Sequence, residues 1–160
     1  MKNFLLPLCS VLALSFAFTA CKKDKEEPKP APTKTELLTG KNWNLKGFTV
    51  NPGVDYFGNG TLITDIYAQS PSTDKDDLER FDTPNAYKYD EGPTKAAGAV
   101  QTITGTWTFS TDEKVVTVTP QGSAPSSYEI MELTENNLKV KYTQVATSGI
   151  TYTYERSYAR

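Results

Sequence analysis

The sequence predicts an all-β domain: an antiparallel meander that closes into a small barrel of about 8 or 9 strands, entered through a short helical turn. Three observations predict it. Along 100–109, Val100, Thr102, Thr104, Thr106 and Thr108 share one parity, while Ile103, Gly105, Trp107 and Phe109 share the other. That period of two describes a strand with one buried face and one threonine-coated face. Short runs of β-type composition recur along the domain, separated by turn-forming residues. The connections are too short for crossovers, so successive strands pair as neighbours. Closing such a sheet removes its exposed edges.

Each element has a local reason. Residues 35–38 form one helical turn that stops at Gly40. The first strand is Trp43-Asn44-Leu45-Lys46-Gly47-Phe48-Thr49-Val50, and 61–68 is read as the second. Asn59-Gly60-Thr61 is a turn between them. Residues 78–82 and 86–90 flank Thr83-Pro84-Asn85, a turn by composition. After 100–109 come strands at 114–119, 128–133, 138–143 and 150–158. Their turns are Ser110-Thr111-Asp112-Glu113, residues 120–125, Glu135-Asn136-Asn137 and Thr147-Ser148-Gly149. Trp107 is expected in the core. Gly105, without a side chain, leaves room beside it and permits the coil that a barrel needs.

The chain divides at residues 20 and 34. Residues 1–20 have the layout of a secretory signal: Lys2, an apolar run, and the small residues Thr19-Ala20. Cys21 follows directly, and the junction resembles the lipobox of bacterial lipoproteins, with Phe18 where leucine is usual. That resemblance implies a cleaved leader and a lipid-bearing Cys21, hence attachment to a membrane. Acyl chains contribute ~0.8 kcal/mol per buried CH₂, and more than one chain makes the attachment stable. Residues 22–34, with three prolines and eight charges, are a solvated tether. Its Lys25-Glu26-Glu27 run resembles acidic surface-export signals of lipoproteins in the Bacteroidota; solubility alone also explains it. The expected location is the cell envelope, at the outer membrane and with the surface in reach. Residues 35–160 are long enough to bury roughly two-thirds of their chain surface in one core.

Composition then excludes several chemistries. The chain has no histidine, and its two cysteines are Cys9 and Cys21. Loss of Cys9 with the leader and lipidation of Cys21 would leave no disulfide, no Cys/His zinc site and no imidazole- or thiol-based catalysis. Residues 35–160 hold 11 Lys/Arg against 16 Asp/Glu, a net charge of −5. Such a balance does not suit phosphate neutralisation, so nucleic acid is not an expected partner.

Four stretches carry a family resemblance. They are Leu37-Leu38-Thr39-Gly40-Lys41-Asn42-Trp43, Lys75-Asp76-Asp77 with Tyr87-Lys88-Tyr89-Asp90-Glu91-Gly92, Gly105-Thr106-Trp107-Thr108-Phe109-Ser110, and Tyr128-Glu129-Ile130-Met131-Glu132-Leu133-Thr134. In order and spacing the chain resembles lipocalin-like domain lipoproteins of the Bacteroidota type. The resemblance implies a small antiparallel barrel and names no ligand. Relatives often carry cysteines where Thr73 and Ala96 stand here, so this chain lacks that staple.

Two classes of function remain. In the first, the barrel holds a small apolar or amphiphilic ligand. Its candidate wall is Trp43, Tyr87, Tyr89, Trp107, Phe109, Tyr128, Tyr142, Tyr152 and Tyr154, since tyrosines give an apolar surface with polar tips. The same residues could instead fill the barrel. The second class is then an interaction module, using its loops or an exposed strand to contact an envelope protein or glycan. Asp74-Lys75-Asp76-Asp77-Leu78-Glu79 is rich in oxygen ligands but lacks EF-hand spacing, and is read as a solvated loop. Asp76, Asp77, Asp82, Asp90 and Glu91 are acid–base candidates by type only, because carboxylate pairs are defined by separation. The sequence therefore nominates no catalytic residue, no cofactor and no metal ligand set. The expectation is a protein that binds without transforming.

Overall fold

The computed structural model describes residues 29–160; the leader, Cys9, Cys21 and most of the tether lie outside them. Residues 31–160 form one unit. Its elements are α1 (Lys34–Leu38), β1 (Asn42–Val54), β2 (Ile63–Asp65), α2 (Ile66–Gln69), a 3-10 turn (Ser72–Asp74), β3 (Leu78–Asp82), β4 (Ala86–Asp90), β5 (Thr102–Phe109), β6 (Val115–Pro120), β7 (Ser126–Leu133), β8 (Asn137–Val145) and β9 (Thr151–Ala159). From β3 to β9 each strand pairs antiparallel with the next, and β1 pairs with both β3 and β9. The result is a closed barrel of eight strands, with β2 as a ninth strand on β1.

β1 is long because it serves three partners. Asn42 to Asn44 pair with Arg80 to Leu78, Thr49 and Val54 pair with Asp65 and Ile63, and the other edge runs along β9 from Asn44↔Ala159 to Asn51↔Thr153. A bulge between Leu45 and Gly47 shifts its register on β9. An extra residue reverses the alternation, so Trp43 and Leu45 face inward before the bulge and Phe48 and Val50 after it. A second bulge between Ile130 and Glu132 does the same to β7.

One structural difference from the sequence reading falls at 61–68. The expected single strand is instead a three-residue strand followed by α2. Asp65 accepts a hydrogen bond from the Ala68 amide (2.9 Å), an N-cap that starts a helical turn where the strand would have continued. The wall beside β1 is therefore split: β2 near one end, β3 near the other, and residues 66–77 between them.

The two ends of the barrel differ. At one end α1 is the plug. A capping box between Thr33 and Glu36 begins it, and Gly40 at φ 75° turns the chain out of it, as a residue without Cβ does at little cost. Leu38 and Trp43 are completely buried there. Trp43 Nε1 donates to the Leu38 carbonyl (2.9 Å), and the Arg160 guanidinium lies 3.8 Å from the Trp43 ring centre. Arg160 also donates to the carbonyls of Leu37, Leu38 and Glu135. Above this plug Phe81, Tyr87, Trp107, Val116, Val118, Leu138, Val140 and Tyr158 complete a dry core. A void of about 20 Å³ beside Tyr128 and Tyr158 is little more than one water's room. The other end is formed by the loops 55–62, 91–101, 121–125 and 146–150.

β5 keeps the expected parity. Trp107 is 4% exposed and its Nε1 donates to the Asp82 carbonyl (3.0 Å). Phe81 and Phe109 meet it edge-on at 5.9 and 5.2 Å. Thr104, Thr106 and Thr108 are exposed. Ile103 departs from the pattern at 38% exposure, because β5 there has reached the open end. A Cβ on Gly105 would sit 2.4 Å from the Thr119 carbonyl oxygen on β6, so the glycine allows β6 to approach.

Two outcomes follow for stability. Trp107→Ala should cost ~3–5 kcal/mol in denaturant unfolding, while Thr106→Ala and Thr108→Ala should change stability by ~1 kcal/mol or less. A Trp107→Ala protein of normal stability would contradict the inward parity of β5. Gly105→Ala, a single added methyl, should also be strongly destabilising, because the atoms it meets are backbone and cannot rotate away.

Candidate functional site

A cavity of about 210 Å³ opens between β1, β9 and the split wall. β1 contributes Leu45 and Phe48, the following loop Tyr56 and Phe57, and the insert between β2 and β3 contributes Ile66, Ser70, Asp74 and Asp77. Glu79, Tyr89, Arg156 and Tyr158 come from β3, β4 and β9. The cavity exists because β2 ends at Asp65: a continuous strand would have closed this wall with side chains at regular spacing.

The rim is held locally. Asp55 accepts from the amides of Asn59 and Gly60, both at 2.9 Å, and so folds the 55–60 loop over its own carboxylate. That loop carries Tyr56 and Phe57, each nearly half exposed. Their rings begin a chain of aromatic contacts that runs inward. Phe57 meets Tyr56 edge-on at 5.2 Å, and Tyr56 meets Phe48 at 5.7 Å. Phe48 then contacts Tyr154 at 5.9 Å, Tyr154 stacks on Tyr142 at 4.8 Å, and Tyr142 meets Tyr128 at 5.4 Å. Such pairs contribute ~0.5–1.5 kcal/mol each beyond their burial, so this side of the wall is preorganised. Burial raises the Tyr142 phenol to about 12.

The cavity floor is polar. Arg156 lies on the inward parity of β9 with Tyr152, Tyr154 and Tyr158. Its guanidinium is 4.6 Å from the Phe48 ring centre, 5.7 Å from Tyr142 and 5.9 Å from Tyr128. Three ring faces partly replace the water that burial removes. Burial opposes its charge, but Tyr158, Glu79, Tyr128 and Tyr142 outweigh that and hold its pKa above the ordinary value. Tyr158 donates to Glu79 Oε1 (2.8 Å), and its own pKa is pushed up by burial and by Glu79. Glu79, Tyr158 and Arg156 thus form one polar layer between the dry core and the cavity, in which Arg156 Nε is left without a hydrogen-bond partner.

The acidic insert has definite structural work. Asn44 Nδ2 donates to the carbonyls of Lys75 (3.2 Å) and Asp77 (2.9 Å), pinning the insert to β1. Asp76 accepts from the Thr94 amide (2.8 Å) and the Thr94 hydroxyl, tying down the 91–101 loop. Gly92 is needed at this contact: at φ 68°, a Cβ would come within 2.4 Å of the Asp76 carbonyl oxygen. Asp77 accepts from the Tyr89 hydroxyl. Its other oxygen, Oδ1, is buried and has no hydrogen-bond partner. Burial raises the Asp77 pKa; Tyr89 works against the rise, and Glu91, Asp74 and Asp76 add to it. Among the described residues, no group of three or more Cys, Asp or Glu is placed to hold a metal ion.

Of the aromatic residues nominated from sequence, Tyr89 lines this cavity. Trp43, Tyr87 and Trp107 are in the dry core, with Phe109 and Tyr128 packed against it. Tyr154, with Tyr142 and Tyr152 against it, belongs to the smaller cluster around Phe48 and Ile66. Asp90 accepts from Thr102, Gln101 and the Gly92 amide, and Asp82 pairs with Arg80 on the barrel exterior. Phe48, Tyr56, Phe57, Arg156 and Tyr158 were not singled out, and Glu79 was read only as the end of the solvated loop 74–79, whereas it lies on β3 and bonds Tyr158 at the cavity. For two of them a signal existed: Glu79 and Arg156 are charged residues on the inward parity of their strands, beside Phe81 and between Tyr154 and Tyr158.

A closed, eight-stranded antiparallel barrel, plugged at one end and hollow at the other, defines the class of small up-and-down barrels that suit ligand binding. The chain belongs to the lipocalin-like domain family, whose model matches residues 38–140. Among solved structures it is similar to a deswapped triple mutant of bovine odorant binding protein, at 14% identity and a TM-score of 0.42, covering 78% of this chain and 74% of that one. It is also similar to a DUF4847 family protein from Bacteroides vulgatus, at 14% identity and a TM-score of 0.41, covering 75% of this chain and 94% of that one. Among curated proteins no sequence match to this chain was found.

The loop carboxylates make the open end acid-sensitive. Thr94 holds Asp76 below the ordinary carboxylate range, and Thr102, Gln101 and the Gly92 amide hold Asp90 below it. A depressed folded-state pKa stabilises the native form above the unfolded value of ~3.9 and loses that contribution as pH falls through the folded value. Amide exchange at Gly92 and Thr94 should therefore lose protection below about pH 4, before the core amides of β8 and β9. Asp76→Ala should remove Thr94 protection already at neutral pH. Unchanged Thr94 exchange in that variant would show that other contacts hold the loop.

Proposed function

We propose that this chain is a lipid-anchored binding protein of a bacterial cell envelope, whose barrel holds a small amphiphilic ligand without transforming it. The observation that carries the reading is the cavity: an aromatic wall already ordered by ring contacts, a few convergent polar groups, and an opening to solvent between Tyr56, Phe57 and the 66–77 insert. Pockets for drug-sized ligands run to ~300–1,000 Å³. At about 210 Å³, this one suits a smaller molecule, one ring or a short chain with a polar head. Leader cleavage before Cys21 and acylation of its thiol supply the anchor, and the charged tether to residue 34 holds the barrel away from the bilayer.

Two experiments test these parts separately. Ser70→Phe places a ring in the cavity from the end of α2. Titration with 2-phenylethanol, followed by amide NMR shifts, should perturb Leu45, Phe48 and Arg156 in the native protein and leave them unmoved in Ser70→Phe. Absence of shifts in the native protein would remove the cavity reading. For the anchor, Cys21→Ala should move the protein from the membrane to the soluble fraction of its host. Retention on membranes would point to an uncleaved leader instead.

A second reading is favoured by the surface of the open end. Leu62, Val100, Val145 and Ile150, together with Tyr56 and Phe57, are large apolar residues left exposed, and all lie on loops or strand ends there. Such an arrangement suits contact with an envelope protein or glycan. Cross-linking in intact cells would then recover the same partner from the native and Ser70→Phe proteins, and not from a Leu62→Asp, Val145→Asp double variant.

A further inference from the structure

The cavity carries a charge imbalance that names its ligand more closely. Its titratable walls are Asp74, Asp77 and Glu79 against a single cation, Arg156. Arg156 has counter-charge nearby: Glu79 and Tyr158 favour its charged form, and the Phe48, Tyr128 and Tyr142 rings face it, although its Nε has no hydrogen-bond partner. Asp77 has no such counterpart. Lys75, its neighbour in sequence, turns away to the Tyr67 ring (5.2 Å) and the Ala68 carbonyl. Glu91, Asp74 and Asp76 surround Asp77 with charge of the same sign, and its Oδ1 is buried without a partner. A buried, unpartnered carboxylate oxygen costs free energy unless a donor reaches it. The neighbouring wall is aromatic, and aromatic faces attract cations.

We propose that the cavity takes a small amphiphilic cation, a protonated primary amine carrying one ring or a short apolar chain, with its ammonium beside the Asp77 carboxylate and its apolar part against Phe48, Tyr56 and Phe57. This rests on the cavity being a ligand site. It adds the sign of the head group. The acidic insert then has a role at the mouth as well: its negative field draws cations toward the opening and turns anions away.

Three ligands of nearly equal shape separate the possibilities: 2-phenylethylammonium, 2-phenylethanol and 3-phenylpropionate, titrated calorimetrically into the purified protein at neutral pH. The ammonium should bind about tenfold or more tightly than the alcohol, as a charge-assisted hydrogen bond supplies, and the carboxylate more weakly than the alcohol. Asp77→Asn, which keeps the size of the side chain, should bring ammonium affinity down to that of the alcohol and leave alcohol binding in place. Equal affinity for all three would overturn the charge assignment while the cavity reading stood. Tightest binding of the carboxylate would overturn it too, and transfer the head group to Arg156. Failure of all three to bind would overturn both the assignment and the cavity reading beneath it.

Discussion

The barrel exists because β1 is hydrogen-bonded along both of its edges. One edge runs against β9 for most of its length; the other is shared, β3 taking one end and β2 the other. That sharing sets the rest of the architecture. Where β3 pairs, the wall is continuous and the interior fills with side chains. Where β2 pairs and then gives way to α2, the wall is looser and a cavity remains. The bulge at Lys46–Gly47 lies between the two regimes, and it turns Phe48 inward on the cavity side. A straight, unbulged β1 would present Gly47 and Thr49 to the interior instead.

Inside, polarity is layered along the barrel axis. The plug end is apolar and dry, sealed by Leu38, Trp43 and the stacked Arg160. Glu79, Tyr158 and Arg156 come next, a layer in which each charge has a partner of opposite sign or a ring face. Buried charges are costly alone and less so among opposite charges and ring faces; one donor of the layer, Arg156 Nε, stays without a hydrogen-bond partner. Beyond them the aromatic chain leads out to Tyr56 and Phe57. The polar layer therefore divides the interior: below it lies the larger packed core, and above it the cavity stands beside the smaller cluster of Phe48, Val50, Ile66 and Tyr154.

How much of this was legible in the sequence depends on what writes each feature. Strand order and most strand limits follow from period-two patterns and turn residues, which are local, so eight of the nine strands fell where those patterns lie. The second did not, because residues 61–68 have strand composition and the decisive event is one hydrogen bond, donated by the Ala68 amide to the Asp65 carboxylate. Aromatic residues were legible as interior, but not which of them face a void. That distinction comes from the bulges, which reverse parity without a distinctive sequence, and from the split wall. Glu79 and Arg156 were readable in principle: a charged side chain in register with Phe81, or with Tyr154 and Tyr158, marks a polar interior position. Asp77 was visible only as one acid among several, since its unpartnered oxygen is a property of packing.

The seam between β1 and β9 also has a kinetic meaning. Its pairs, from Asn44 with Ala159 to Asn51 with Thr153, join the most distant strands of the sheet in sequence. Hairpins such as β3–β4 or β8–β9 close short loops, whereas the seam closes nearly the whole domain, at a larger entropic cost. Until it closes, the meander has two free edges, each a template for the edge of another molecule. The bulge at Lys46–Gly47 lies on one of those edges. By twisting the strand and placing a lysine in it, the bulge makes the unclosed β1 a poor partner for any strand but β9. The same residue insertion that aims Phe48 at the cavity thus also protects the chain before the barrel has formed.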